Sequence, residues 1–207
     1  MRVVASEFMG LDGVMQAPGG QQEDPSGGFA HGGWSLPYFD PAVMGAAVAG
    51  LAERGGALLQ GARTYRVSAT AWPGQAGTGN AFADWINQAQ KYVVSDTLTD
   101  ADLTWQPTTI IRSADLTTQV STLREQPGGD IYVYGSLSIV RALLDAGLVD
   151  ELVLMIEPIT LGGGKTLFPT DGQVRTFELI SAETAATGVL LCRYRPLPRG
   201  EEKTGGQ

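Results

Sequence analysis

Cysteine and histidine are nearly missing from this chain, with Cys192 and His31 the sole examples. A single cysteine closes no internal disulfide, and its place in the apolar run Val189-Leu-Leu-Cys192 predicts burial in a strand. His31 sits in a glycine-rich stretch without other metal-type ligands nearby, so no metal site is expected. Basic residues are also scarce: 14 lysines and arginines stand against 22 aspartates and glutamates, for a net charge of -8. They do not cluster, which removes the electrostatic footprint of a nucleic-acid or anionic-membrane partner.

Long apolar runs are lacking as well. Ala42–Ala52 is the longest, and it contains Gly45 and Gly50 and is too short to cross a bilayer. The stretch Met1-Arg-Val-Val-Ala-Ser-Glu-Phe8 enters a strand pattern directly, without an apolar signal core or small-residue cleavage site, so a cytoplasmic protein is expected. The 43% hydrophobic content is ordinary for a chain that buries a real core. One domain over 1–195 is expected, followed by a flexible tail, 196–207, rich in proline, glycine and charge.

Glycine is abundant, at 28 residues, and the stretch Leu161-Gly-Gly-Gly-Lys-Thr-Leu-Phe168 ends its glycines in Gly-Lys-Thr. A phosphate loop of the ATPase type requires a glycine five residues before the Gly-Lys pair, and Ile159 stands there. The long helix that should follow is interrupted by Pro169 and Gly172. The stretch is therefore not read as a nucleotide-hydrolysis motif.

Strand and helix signals alternate along the chain. Strands are expected over Arg2–Phe8, Ala57–Gln60, Lys91–Val94, Thr108–Ile111, Ile131–Tyr134 and Asp150–Glu157, with an antiparallel pair over Thr176–Ala182 and Val189–Tyr194. Helices are expected from Asp40-Pro41 to Gly55-Gly56, after Gly61, over Asn80–Asn87 and Asp115–Glu125, and from Gly135 to Leu144. The irregular stretch Met9–Gly33 is too long for an ordinary connection, and such loops tend to be functional. Twice a buried strand runs into glycine and then a helix, at Gly61 and at Gly135. In α/β folds the carboxyl ends of strands and the free N–H groups of helix starts form ligand sites, and two such units point to a phosphate-bearing ligand.

The segments Leu11-Asp-Gly13, Gly61-Ala-Arg-Thr-Tyr65, Gly135-Ser136, Gly147-Leu-Val-Asp-Glu151 and Leu161–Phe168 come in the order seen in the dihydrofolate reductase-like superfamily. More closely, the chain resembles stand-alone proteins similar to the reductase domain of the bifunctional riboflavin-biosynthesis deaminase-reductase. The resemblance implies a three-layer α/β fold, with a mixed, mostly parallel central sheet and a C-terminal antiparallel hairpin. It implies an NADPH-dependent oxidoreductase, with NADH as the other cofactor, acting on a small heterocycle such as a ribosylated aminopyrimidine or a folate, and a homodimer.

Residue by residue, the resemblance assigns cofactor contacts to Gly61, Arg63 and Thr64, with Arg63 reaching the adenosine 2′-phosphate. It adds Ser95 beside that phosphate, and Gly135, Ser136 and Leu137 in the pyrophosphate loop. Asp96 departs from the family pattern, since a carboxylate there would repel a 2′-phosphate, and Arg112 is either a compensating cation or a solvated strand-end residue. At the substrate end the candidates for catalysis are Asp12, Trp34 and Asp40. Asp12 is equally a simple Asp-Gly turn, and Asp40 reads first as a helix N-cap before Pro41. A non-catalytic nucleotide-binding or interaction protein that keeps the fold is the competing function.

Overall fold

The computed structural model describes residues 1–198. Eight strands form one sheet: β1 (Val3–Gly10), β2 (Gly55–Gly61), β3 (Gln90–Val94), β4 (Thr108–Ile111), β5 (Asp130–Tyr134), β6 (Glu151–Glu157), β7 (Phe177–Thr184) and β8 (Leu190–Pro196). Their order is β4-β3-β2-β5-β1-β6-β8-β7. The first six pair in parallel. The β8 strand returns antiparallel against β6, and β7 closes the edge antiparallel to β8. The helices are α1 (Ala46–Arg54), α2 (Ala62–Ala71), α3 (Ala81–Gln88), α4 (Leu116–Glu125) and α5 (Leu137–Asp145).

Alternation along the strands builds the layers, because successive side chains leave a strand on opposite faces. Val3, Ala5, Ala57, Leu59, Ile131, Val133, Leu152 and Leu154 pack with α4 and α5 through Val120, Leu123, Ile139 and Leu143. Val4, Leu58, Tyr132, Val153 and Met155 pack on the other face with Ala47 and Leu51 of α1, Tyr65 of α2 and Ile86 of α3. Central strands buried on both faces are the rule for parallel sheets. The expected three-layer, mostly parallel architecture with a C-terminal antiparallel pair is therefore found.

Differences from the sequence reading lie at element ends. The helix after Asp40 opens with a π-helical turn, Pro41–Gly45, before α1 begins. α5 starts at Leu137 and not at Gly135, because Gly135 and Ser136 both have positive φ, at 57° and 53°. β8 extends to Pro196, one residue into the expected tail, and the Leu197 N–H donates to the Thr176 carbonyl at 3.0 Å. The expectation for 199–207 lies outside the described residues. Cys192 is buried in β8, as its apolar neighbours indicated.

The glycines flanking β2 and β5 do more than stop helices. A Cβ on Gly129 would lie 2.4 Å from the Arg54 carbonyl oxygen and 2.8 Å from the Gly56 nitrogen, and one on Gly55 would lie 2.3 Å from the Trp85 ring. Bare backbone at Gly129 and Gly56 lets the two strands start side by side, and at Gly55 it leaves room for the Trp85 ring. Gly129→Ala therefore forces backbone to move, and is expected to destabilise the fold by about 1–3 kcal/mol, as overpacking does. A denaturant melt of the purified variant checks this, and an unchanged midpoint would contradict the close approach.

Candidate functional site

β1, β2, β5 and β6 run parallel, so their carboxyl ends meet at one edge of the sheet. At that edge the neighbouring strands β2 and β5 each turn into a helix. The turns are stitched together: the Gly61 N–H donates to Ser136 Oγ at 2.9 Å, and the Ser136 N–H donates to Thr64 Oγ1 at 3.2 Å. Gly135 makes its left-handed turn against Thr64, whose side chain would sit 3.3 Å from any Cβ there. Neither α2 nor α5 has a side chain capping its first turn. Two helix starts thus present backbone N–H groups and the positive ends of their dipoles to the same space, an arrangement that receives anions.

That space is a cleft of about 1350 Å³. Gly61, Arg63, Thr64, Gly135, Ser136 and Leu137, all candidates from the sequence, line it together. Its wall beside α2 carries a hydrogen-bonded group the sequence reading missed. Tyr134 Oη lies 2.6 Å from Ser68 Oγ and accepts from Trp72 Nε1 at 3.2 Å, and Gln60 Nε2 donates to Ser68 Oγ at 3.1 Å. Burial pushes the Tyr134 phenol up to about 12, so it stays neutral at ordinary pH.

The opposite wall is the long loop after β1. Asp24 accepts from Arg63 Nη1 at 2.7 Å and is ion-paired with Lys165, whose Nζ also donates to Ser26 Oγ at 2.8 Å. Gln16 Nε2 donates to the Asp24 and Ser26 carbonyls at 2.9 Å each, and its Oε1 accepts the Lys165 N–H at 3.0 Å. The lysine of the Gly-Gly-Gly-Lys stretch therefore fastens one loop to another across the cleft. Its partner lies 141 positions away.

The remaining candidates fall elsewhere. Asp12 Oδ2 accepts from the Leu161 and Gly162 N–H groups at 2.8 and 2.9 Å, anchoring the start of the glycine stretch, and these bonds hold its carboxyl below the ordinary range although partial desolvation opposes them. Trp34 is buried, with Nε1 donating to the Gln16 carbonyl at 2.7 Å. Asp40 caps the following turn, accepting from Ala42 and Val43 at 2.8 and 2.9 Å, and also from Ala186 at 3.0 Å. Ser95 Oγ accepts from Thr97 and Leu98, at 3.2 and 3.0 Å, in a turn of its own. Asp12, Trp34, Asp40 and Ser95 are not among the residues lining the cleft. Asp96 accepts from the Ser113 N–H at 2.9 Å, and Arg112 donates to the Ser95 and Leu98 carbonyls, so both serve the β3–β4 crossing.

Two acids lie buried near the same edge, and each leaves one oxygen unpartnered. Glu7 on β1 is 2% exposed and lines the cleft. Glu157, the last residue of β6, is fully buried, with Oε1 accepting from Ser35 Oγ at 2.5 Å and Oε2 without a partner. The signal in the sequence was an acid at an otherwise apolar strand position, which the alternation pattern alone did not mark as chemistry.

The fold and this cleft define an α/β protein with an anion-receptive site at the carboxyl edge of its sheet. The chain belongs to the RibD C-terminal domain family, which matches residues 2–191. It is 32% identical over 109 residues to the uncharacterized protein YyaP of Bacillus subtilis, a match spanning 53% of this chain and about half, 56%, of that relative. Among solved structures, a candidate riboflavin biosynthesis protein from Shewanella sp. PV-4 superposes with a TM-score of 0.72 at 19% identity, over 96% of this chain and 100% of that one. The deaminase/5-amino-6-(5-phosphoribosylamino)uracil reductase of Thermotoga maritima gives 0.61 at 14% identity, over 95% of this chain and 56% of that one. Dihydrofolate reductase from Enterococcus faecalis, complexed with NADP(H), gives 0.55 at 15% identity, over 94% of this chain and 96% of that one. The shared fold is the dihydrofolate reductase-like one expected from the sequence.

Burial raises Glu157 from 4.5 to about 7, with the Ser35 hydrogen bond opposing it. Below the unfolded value the group is protonated in both states, and its contribution to stability is fully present. As pH rises through about 7 the folded state must bury a charge, and that contribution is lost. Glu157→Gln keeps the acceptor for Ser35 and removes the titration. Relative to wild type it should gain on the order of 2 kcal/mol between roughly pH 5 and roughly pH 8. Denaturant midpoints across that range check this, and parallel profiles for the two proteins would contradict it.

Proposed function

We propose that the protein is an NAD(P)H-dependent reductase of a small heterocyclic substrate, resembling 5-amino-6-(5-phosphoribosylamino)uracil reductase or dihydrofolate reductase. The observation that carries this reading is the pair of uncapped helix starts, α2 and α5, stitched side by side at the mouth of the cleft. A dinucleotide's linked phosphates need such a concentration of N–H groups, and glycine at 61 and 135 keeps side chains out of their approach. The residues present fit the cofactor. The N–H groups at the starts of α2 and α5 would hold the pyrophosphate, and Arg63 would meet a 2′-phosphate by sharing or exchanging its bond with Asp24.

When bound, the reduced nicotinamide supplies the hydride. The chain orients and encloses. The loop fastened by Asp24, Gln16 and Lys165 keeps water from the cleft on one side. The neutral Tyr134–Ser68–Trp72 group offers fixed polar atoms on the other. Recognition of a ring substrate by a few placed polar groups in a mostly apolar cleft is the usual pattern of small-molecule sites.

Gly135→Val tests the reading at its centre. A β-branched side chain at a φ of +57°, pressed against Thr64, displaces the turn that brings the α5 N–H groups forward. NADPH fluorescence titration should show saturable binding to wild type and at least a tenfold loss in the variant, a change of about 1.4 kcal/mol or more. Circular dichroism serves as the control for folding. Failure of the wild type to bind NADPH or NADH at millimolar levels would remove the reductase reading, and binding without oxidation by any ring acceptor would favour the non-catalytic module.

The proposed assembly is a homodimer through the β7–β8 edge. Leu179, Ile180 and Leu190 are 50%, 45% and 41% exposed there, on or beside an edge strand, and an apolar edge calls for cover. Leu191 is 2% exposed, so Leu190 is the outward residue. Light scattering at micromolar concentration should give a dimer mass for wild type and a monomer mass for Leu190→Glu, whose carboxylate would be desolvated in the interface. A monomeric wild type would contradict the proposal.

A further inference from the structure

Glu7 holds a position in the cleft that phosphate binding leaves unused. Its carboxyl is 2% exposed, lines the cleft, and has no hydrogen-bond partner at Oε1. The Gly135 N–H acts on the carboxyl in the opposite sense to burial, and Oε1 is the buried oxygen without a partner. The charged group acting on it is another acid, Glu23, from the loop that forms the opposite wall. None of the cations lining the cleft, Arg63, Arg66 and Lys165, pairs with Glu7, and Asp24 engages both Arg63 and Lys165. A carboxylate buried without a cation costs several kcal/mol, so such a group takes up a proton instead. Burial accordingly pushes Glu7 well above the ordinary carboxylate range.

A neutral carboxyl has one carbonyl oxygen and one O–H. Carried on Oε1, that O–H is a buried donor without an acceptor among the described residues, and buried donors of this kind are rarely left unmet.

We propose that Glu7 is a ligand-binding acid whose Oε1–H donates to the carbonyl oxygen of a carboxamide or ring lactam in the molecule bound in the cleft. The inference rests on the cleft being the reductase site, and two ligands there carry this chemistry. One is the carboxamide of the nicotinamide ring, and the other is the lactam edge of a pyrimidine-like substrate. Among the described residues, the other buried carboxyls and amines without an opposite charge are Asp40, Glu157 and Lys91, and none of them lines the cleft. Lys91 already donates to three backbone carbonyls, those of Asn87, Ala89 and Gln106.

The test is carbon NMR of protein labelled at glutamate carboxyls, with the Glu7 resonance assigned by its loss in Glu7→Gln. The resonance should show a protonated carboxyl at neutral pH. It should move on adding NADPH if the acceptor is the carboxamide, or only on adding uracil to the NADPH complex if the acceptor is a lactam. For the ligand that moves it, Glu7→Gln, which keeps a donor, should bind within about threefold of wild type, and Glu7→Leu about tenfold more weakly. A resonance that titrates in the ordinary carboxylate range overturns the proposal, as does one that neither addition moves while NADPH fluorescence reports binding. Loss of NADPH binding in the wild type would instead remove the cofactor reading. Glu7 would then stand on its protonation and its response to uracil alone, and fail if either were missing.

Discussion

The reciprocal pair of hydrogen bonds between the β2 and β5 turns, Gly61 N–H to Ser136 Oγ and Ser136 N–H to Thr64 Oγ1, is the constraint on which the rest of the site depends. Each bond ties the start of one helix to the turn before the other. Together they fix the spacing of α2 and α5 and turn both sets of free N–H groups toward one cleft. The cost is a strained backbone, since Ser136 holds a left-handed conformation that a residue with a Cβ seldom adopts. Strain of this kind persists where the surroundings over-determine it, and functional sites are where it collects. Here the surroundings are the parallel ladder of β2 against β5 and the bare backbone at Gly56 and Gly129 that lets those strands begin together.

Around that stitched edge the protein tolerates groups that a core would otherwise exclude. Glu7, Gln60, Glu157 and Ser68 are buried polar residues near the carboxyl ends of the sheet, whereas the middles of the same strands are mostly apolar. Unmet polar atoms in a buried site lower stability, so their concentration at one edge separates the part of the molecule that holds the fold from the part that meets a ligand. The loop that covers the edge is fixed by charge. Asp24 accepts from a cation on α2 and another in the glycine stretch, so its carboxylate competes with any anionic ligand for both.

Much of the architecture was legible in the sequence because its signals are local. Alternating apolar runs such as Val3-Val4-Ala5 and Ile131-Tyr-Val-Tyr134 marked the strands, and Gly61 and Gly135 marked the turns at the cleft. What escaped depends on pairs far apart in the chain. Nothing beside Lys165 announces Asp24, and nothing beside Gly129 announces the Arg54 carbonyl that a side chain would strike. Asp40 and Asp12 carried two readings each, and the structure gives both carboxylates backbone N–H partners, which local spacing could not choose in advance. Glu7 was visible only as an acid in a strand. Its meaning comes from the depth of the strand end and from the turn of Gly135 beside it.

In the proposed function the two helix starts receive the phosphates of a dinucleotide. Amide proton–nitrogen NMR of the labelled protein, titrated with NADPH, tests it most directly, because the N–H groups themselves report. The largest shifts should fall on Ala62, Arg63 and Thr64 at the start of α2 and on Leu137 and Ser138 at the start of α5, with the two sets saturating together. Shifts confined to other surfaces, or at one helix start without the other, would contradict it.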